Sequence, residues 1–174
     1  MADWDEQQRF EALVLPHLDA AHNLARWLLR RDAEAQDAAQ EAILRAYRFF
    51  GGFRGGDARA WLLKIVRNTC YTWLANARDS REAEEFDEER HAVPQETPES
   101  LAIAGAARER LARALEELPR RSREVLVLRE LEGCSYKEIA EITGIPIGTV
   151  MSSLSRARER LQTALAAQAR KEEP

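Results

Sequence analysis

The chain has 174 residues, 32% of them charged, with 8 glycines, 6 prolines, two cysteines and a formal net charge of −4. Cys70 and Cys134 form no Cys-x-x-Cys pair and no histidine stands at metal-ligand spacing, which argues against a disulfide framework or zinc site and suits a reducing cytosol. The acidic start, Met1 to Glu6, lacks a signal peptide's basic-then-apolar profile, and no apolar stretch approaches a membrane span, so a cytoplasmic protein without membrane insertion is expected. No run alternates apolar and polar residues with β-branched enrichment, so the fold class is all-α, in two small helical domains.

In chain order, residues 4–15 and 16–29 read as helices, with Pro16 at an allowed break or first-turn position. Asp32 is expected to cap a third helix over 33–50, with Ala38, Ala42, Ile43, Ala46 and Phe49 or Phe50 on its apolar face. A Gly-rich loop follows at 51–56, and helix resumes over 57–77 with Trp61, Leu62, Ile65 and Val66 inward. Asn68 and Thr69 prefer caps and turns, so this helix is expected to divide there and expose Asn68. Residues 79–100 hold many acids, two prolines and few apolar groups, too little to order themselves by burial. They read as a flexible acidic linker between a domain at 1–78 and a domain at 101–174; the alternative is a strand that mimics DNA in a basic channel of a partner.

Beyond it, 101–118 is amphipathic and stops before Pro119, and Ser122 is expected to cap a helix over 123–131 that Gly133 ends. Ser135 then caps a short helix, with Glu138 three residues on as the partner of a capping box and Ile139, Ala140 and Ile142 as its buried face. Gly144 can take a positive φ, and Pro146 and Gly148 keep the next helix separate. In that last helix Val150, Leu154, Ala157 and Leu161 recur at helical spacing. This is a helix-turn-helix signature, and its second helix is expected to lie in a major groove. Thr149, Met151, Ser152, Ser153, Ser155 and Arg156 are its expected outward positions.

A negative chain is an unusual DNA binder until its charge is divided. Residues 1–78 carry 11 basic and 10 acidic groups, residues 79–100 carry 2 and 9, and residues 101–174 carry 13 and 11. The linker therefore accounts for the acidity. Within the first part, Arg54, Arg59, Lys64, Arg67 and Arg78 face a single acid, Asp57, over residues 53–78, a local basic stretch of the kind nucleic-acid contact requires.

The runs Asp32-Ala-Glu-Ala-Gln-Asp37 through Gln40-Glu41 to Arg48, Phe53-Arg54-Gly55 and Arg59-Ala-Trp61 through Arg67-Asn68 together resemble region 2 of bacterial sigma factors of the extracytoplasmic-function group. The segment from Leu115 through Leu118-Pro119 to Glu124-Val-Leu, with the helix-turn-helix, resembles region 4 of the same group. The resemblance covers both domains and implies a transcription initiation factor that joins core RNA polymerase, recognises two promoter elements and helps open the DNA. It assigns polymerase binding to Asp37, Gln40 and Glu41. Arg59, Trp61, Lys64, Arg67 and Asn68 would meet the minus-ten element, the basic groups on phosphates, an aromatic (Trp61, Tyr71 or Trp73) on unpaired bases and Asn68 on a flipped base. Thr149, Ser152, Ser155 and Arg156 would read the minus-thirty-five element. Met151 and Ser153 stand where the family often has basic residues, which implies weaker, less salt-dependent binding by this domain alone. An anti-sigma factor is an implied partner, promoter DNA and core polymerase are the others, the free chain is expected to be a monomer, and no cofactor or metal is expected.

Two other classes compete. A self-sufficient helix-turn-helix regulator, dimeric on palindromic duplex DNA, explains residues 115–165 but gives the 32–68 block no role. An enzyme is disfavoured, since Asp37 and Glu41 pair only by helical spacing and no nucleophile, phosphate loop or ligand cluster accompanies them.

Overall fold

The computed structural model describes residues 2–81 and 100–173, and among these every regular element is helical. Helix α1 spans Ala2–Leu13, a 3-10 turn Leu15–His17 leads into α2 (Leu18–Leu29), and α3 spans Asp32–Phe49. A second 3-10 turn, Phe50–Gly52, precedes α4 (Ala58–Arg81). The second half holds α5 (Ser100–Glu117), α6 (Arg120–Leu126) running into a π-helical turn Val127–Leu131, α7 (Tyr136–Thr143) and α8 (Ile147–Glu172).

The first domain is a three-helix core of α2, α3 and α4. Helix α3 contributes Ala35, Ala38, Ala42 and Ala46, all fully buried, and this small-residue face lets Leu24 and Leu28 of α2 and Leu62, Leu63 and Val66 of α4 close over it. Each such leucine contributes about 2 kcal/mol by leaving water. In the second domain Val125 and Leu128 pack with Ile139, Ile142, Val150, Leu154 and Ala157, and the two cores merge into one cluster.

Several local expectations change. Helix α4 does not break at Asn68: Thr69 and Thr72 return their hydroxyls to the carbonyls of Ile65 and Asn68, at 2.8 and 3.0 Å, so their side chains bond within the helix instead of ending it. It starts on Asp57, whose Oδ1 accepts from the backbone N–H groups of Arg59 and Ala60. It runs to Arg81, into the segment read as linker; residues 82–99 of that segment lie outside the described residues. Pro119, not Ser122, is the N-cap of α6, because its carbonyl accepts the first helical bond, from the Arg123 N–H at 3.0 Å; Ser122 sits inside the helix and accepts a bond from Arg160 Nη1. Arg31 rather than Asp32 is the N-cap of α3, and Asp32, in its first turn, pairs with Arg26 at 3.3 Å.

The helix-turn-helix forms as its residues direct. Ser135 Oγ accepts from the Glu138 N–H at 3.1 Å, and Gly144 ends α7 at φ 72°. Glu138 does not complete the capping box with its side chain. Its carboxylate turns instead to Arg59 in the first domain, a charged partner that outbids a backbone N–H.

Candidate functional site

On α3, Asp37 and Gln40 are exposed, one turn apart, on the face opposite the alanine stripe. Glu41 is half-buried and already engaged, receiving Arg45 Nη2 and the Trp73 indole N–H, each at 2.6 Å. The indole of Trp73 is thereby tied to α3. Leu44 and Tyr47 continue the Asp37–Gln40 stripe at helical spacing and are 60% and 50% exposed. Sequence reasoning passed over these two apolar groups, although the 37, 40, 44, 47 spacing marks one face. Phe49 lies further on, also exposed, while Phe50 turns inward.

Helix α4 carries the basic stretch. Lys64 and Asn68 are one turn apart and both exposed. Trp61 is half-buried in an aromatic cluster, its ring centroid 5.1 Å from Phe53 and 6.1 Å from Phe50. Arg59 and Arg67 are not free. Arg59 donates Nη1 to the Glu132 carbonyl at 2.7 Å and Nη2 to Glu138 Oε2 at 3.1 Å. Arg67 donates Nε to Glu124 Oε1, and the Tyr71 hydroxyl donates to Glu124 Oε2 at 2.9 Å, with the Arg67 guanidinium 4.2 Å over the Tyr71 ring. Both arginines thus meet acids or carbonyls of the second domain, α7 lying against α4 and α6 against α2.

The electrostatics agree with this pairing. Burial works against the charge on both guanidiniums, but Glu138 for Arg59 and Glu124 for Arg67 more than offset it and hold each above its ordinary value. Burial, with the Glu124 charge, likewise raises the Tyr71 hydroxyl. Arg123 is the exception at this seam. It is 4% exposed, its Nε and Nη1 have no hydrogen-bond partner, and burial together with the charges of Arg30 and Arg120 pulls it down to about 10. It still carries its charge at neutral pH.

In α8, Ser152, Ser155 and Arg156 are exposed, Thr149 is half-buried and Met151 is 54% exposed. Ser153 is not an outward position. It is buried at 6% beside Val150 and Leu154, because residue 153 falls three past 150 on the docking face, so an uncharged residue there costs no phosphate contact. Both cysteines are free and fully buried, and burial raises their thiols, Cys70 to about 12 and Cys134 to about 11. No group of three or more His, Cys, Asp or Glu among the described residues could hold a metal ion, and none of their helices is long and apolar enough to cross a membrane.

The family described as Sigma-70 region 2 matches residues 13–80, and Sigma-70, region 4 matches residues 108–161. The chain is 37% identical over 170 residues to the RNA polymerase sigma-H factor of Pseudomonas aeruginosa, covering 92% of this chain and 88% of that one. It is 36% identical over 167 residues to the ECF RNA polymerase sigma-E factor of Escherichia coli strain K12, covering 90% and 86%. Among solved structures, the sigma factor RpoE in complex with the anti-sigma factor NepR from Bartonella quintana superposes with a TM-score of 0.78 at 30% identity, over 93% of this chain and 97% of that one.

Proposed function

The chain belongs to the extracytoplasmic-function group of RNA polymerase sigma factors, and from that premise we propose how its residues divide the work of promoter recognition. Residues 1–78 form the domain for core polymerase and the minus-ten element, 79–100 the tether, and 101–174 the domain for the minus-thirty-five element. The protein acts in the cytoplasm and carries out no covalent chemistry itself.

The α3 face meets the polymerase. Asp37 and Gln40 offer a carboxylate and an amide, Leu44 and Tyr47 add exposed apolar area, and Glu41 holds the face to α4 through Trp73 as well as presenting charge. Single exposed ion pairs contribute roughly 0–1 kcal/mol, so the apolar pair is what gives this face strength. The observation that carries the DNA assignment is on α4: Lys64 and Asn68 are both exposed one turn apart, flanked by Arg59, Arg67 and the Trp61 cluster. Lysine and arginine neutralise phosphates, and the Asn68 amide can donate to and accept from a base edge even from an unbroken helix.

In α8, Thr149, Ser152, Ser155 and Arg156 face the major groove, and the exposed Met151 suits a thymine methyl. A silencing anti-sigma protein is taken as the third partner, because the solved relative that superposes over both domains together is held by one.

Transcription in vitro from a promoter library, with purified core polymerase and with or without this chain, tests the reading. New promoter-specific starts that vanish with Asn68→Ala or Arg156→Ala are expected. Absence of polymerase binding, together with dimeric binding to duplex DNA, would overturn it in favour of a self-sufficient regulator.

A further inference from the structure

We propose that the cavity between α2 and α5 binds a small amphipathic carboxylate, an apolar body with a single anionic head. None of the residues that line it is among those assigned above to polymerase or DNA, so the proposal stands apart from that reading.

The cavity has a volume of about 430 Å³, within the range of about 300–1,000 Å³ usual for small-molecule sites. Its apolar lining comes from both halves of the chain, with Trp27 from α2, Leu111 and Leu115 from α5, and Leu131 from the end of the π-helical turn. Leu115 is buried, whereas Leu111 and Leu131 are 37% and 47% exposed, so part of this lining still meets water after the helices have packed. A ligand with an apolar body gains by covering it.

The charged part of the wall is unbalanced. Arg26, Arg30 and Arg108 line the cavity against two acids, Asp32 and Glu116. Asp32 is held by Arg26 at 3.3 Å, and neither Arg30 nor Arg108 has an ion pair among the described residues. The Glu116 charge already acts on a fourth arginine, Arg123, which is 4% exposed and whose Nε and Nη1 lack an acceptor. Burial and the like charges of Arg30 and Arg120 both work against the Arg123 charge. Positive charge therefore exceeds negative around the cavity, and a carboxylate beside Arg30 gains partners of its own while relieving this repulsion.

The class of ligand follows from the two kinds of wall. A bare inorganic anion leaves Trp27 and Leu111 uncovered, and a neutral apolar molecule leaves Arg30 and Arg108 without a counter-charge. An acid with a short aliphatic or aromatic body meets both needs. Because α2 and α5 must both be in place to form the cavity, such a ligand binds the folded chain and not the unfolded one, and so stabilises it.

Isothermal titration calorimetry on the full chain with octanoate and with naphthoate, against acetate and octanol, tests this; the first two separate an aliphatic from an aromatic source of the same chemistry. Saturable binding of one acid molecule per chain is expected, about ten-fold or more tighter than acetate or octanol, and at about ten times the Kd the Tm should rise by about 3–5 °C. Arg30→Gly with Arg108→Ala should weaken binding about ten-fold or more. Glycine suits the positive φ of residue 30 and Arg108 is exposed, so this variant is expected to fold. Leu111→Glu, also at an exposed position, sets a carboxylate on the cavity wall and should abolish binding of both acids. Thermal melts establish that each variant is folded, and either one suffices if the other is not. No saturable binding of either acid, binding of acetate or octanol as tight as that of the acids, or unchanged affinity in a folded variant overturns the proposal.

Discussion

Arg67 of α4 and Glu124 of α6 form an ion pair across the two domains in which the carboxylate side chain is 1% exposed and the guanidinium 16%. Tyr71, one turn further along α4, closes the other carboxylate oxygen. Removing one member strands the other: Arg67→Met should cost about 3 kcal/mol, less to the extent that the domains part and rehydrate Glu124. The double variant Arg67→Met with Glu124→Gln should be more stable than the two single losses added together. Urea melts of the four proteins measure this, and strict additivity would show that the pair is not coupled.

Stability should fall steeply in alkali. The thiols of Cys70 and Cys134 are raised from 9.0 to about 12 and about 11, and Tyr71 is raised as well, so each is neutral in the fold over a range where the unfolded chain has begun to ionise. Their contribution is complete below pH 9 for the thiols and is lost as pH climbs toward the folded values, at about 1 kcal/mol per pH unit for each thiol. Tyr71 adds to the loss above pH 10. Denaturant melts at pH 8, 9.5 and 10.5 should show a plateau and then a decline; a flat profile would contradict the burial of these groups.

Arg30 ends α2 in the left-handed region at φ 64°, where its N–H bonds to the Arg26 carbonyl at 3.0 Å. Glycine adopts this conformation without steric cost, and its introduction would also remove a positive charge near the buried Arg123. Arg30→Gly should therefore stabilise the protein, by about 1 kcal/mol from the backbone alone. A lowered Tm would show that the Arg30 side chain makes a favourable contribution that outweighs both effects.

The helix-turn-helix rests on two local devices that can be removed separately. Gly144→Ala places a Cβ in open space but at φ 72°, so its cost of about 1 kcal/mol is purely conformational. Ser135→Ala removes the acceptor for the Glu138 N–H and should cost about 1 kcal/mol. Thermal melts should show both losses, and the double variant should be close to additive, since the two sites cap opposite ends of α7. Melts unchanged from the parent would mean that tertiary packing alone holds the turn.

Much of the fold was legible because it depends on local chemistry. The alanine spacing of α3, the Ser135 cap and the Gly144 stop are each set by groups within a turn or two, and they stand where their residues direct. The errors were local choices between near-equal options. Asn68 and Thr69 favour a break only if their side chains compete with the helix, and Thr69 instead bonds within it. Ser153 looked like a polar outward residue, but helical phase set by Val150 and Leu154 carries it inside.

The sequence by itself determined two all-α domains, the helix-turn-helix, the basic stretch on α4 and the resemblance that identified the family, because periodicity, caps and motif spacing are short-range properties of the chain. Only the tertiary structure decided which of those basic groups are free. Lys64, Asn68 and Arg156 face solvent, whereas Arg59 and Arg67 meet Glu138 and Glu124 from the other domain and Arg123 is buried with no acceptor for its Nε or Nη1. Pairings between residues more than 50 positions apart depend on how whole helices dock, a sum over many weak contacts that no local pattern encodes.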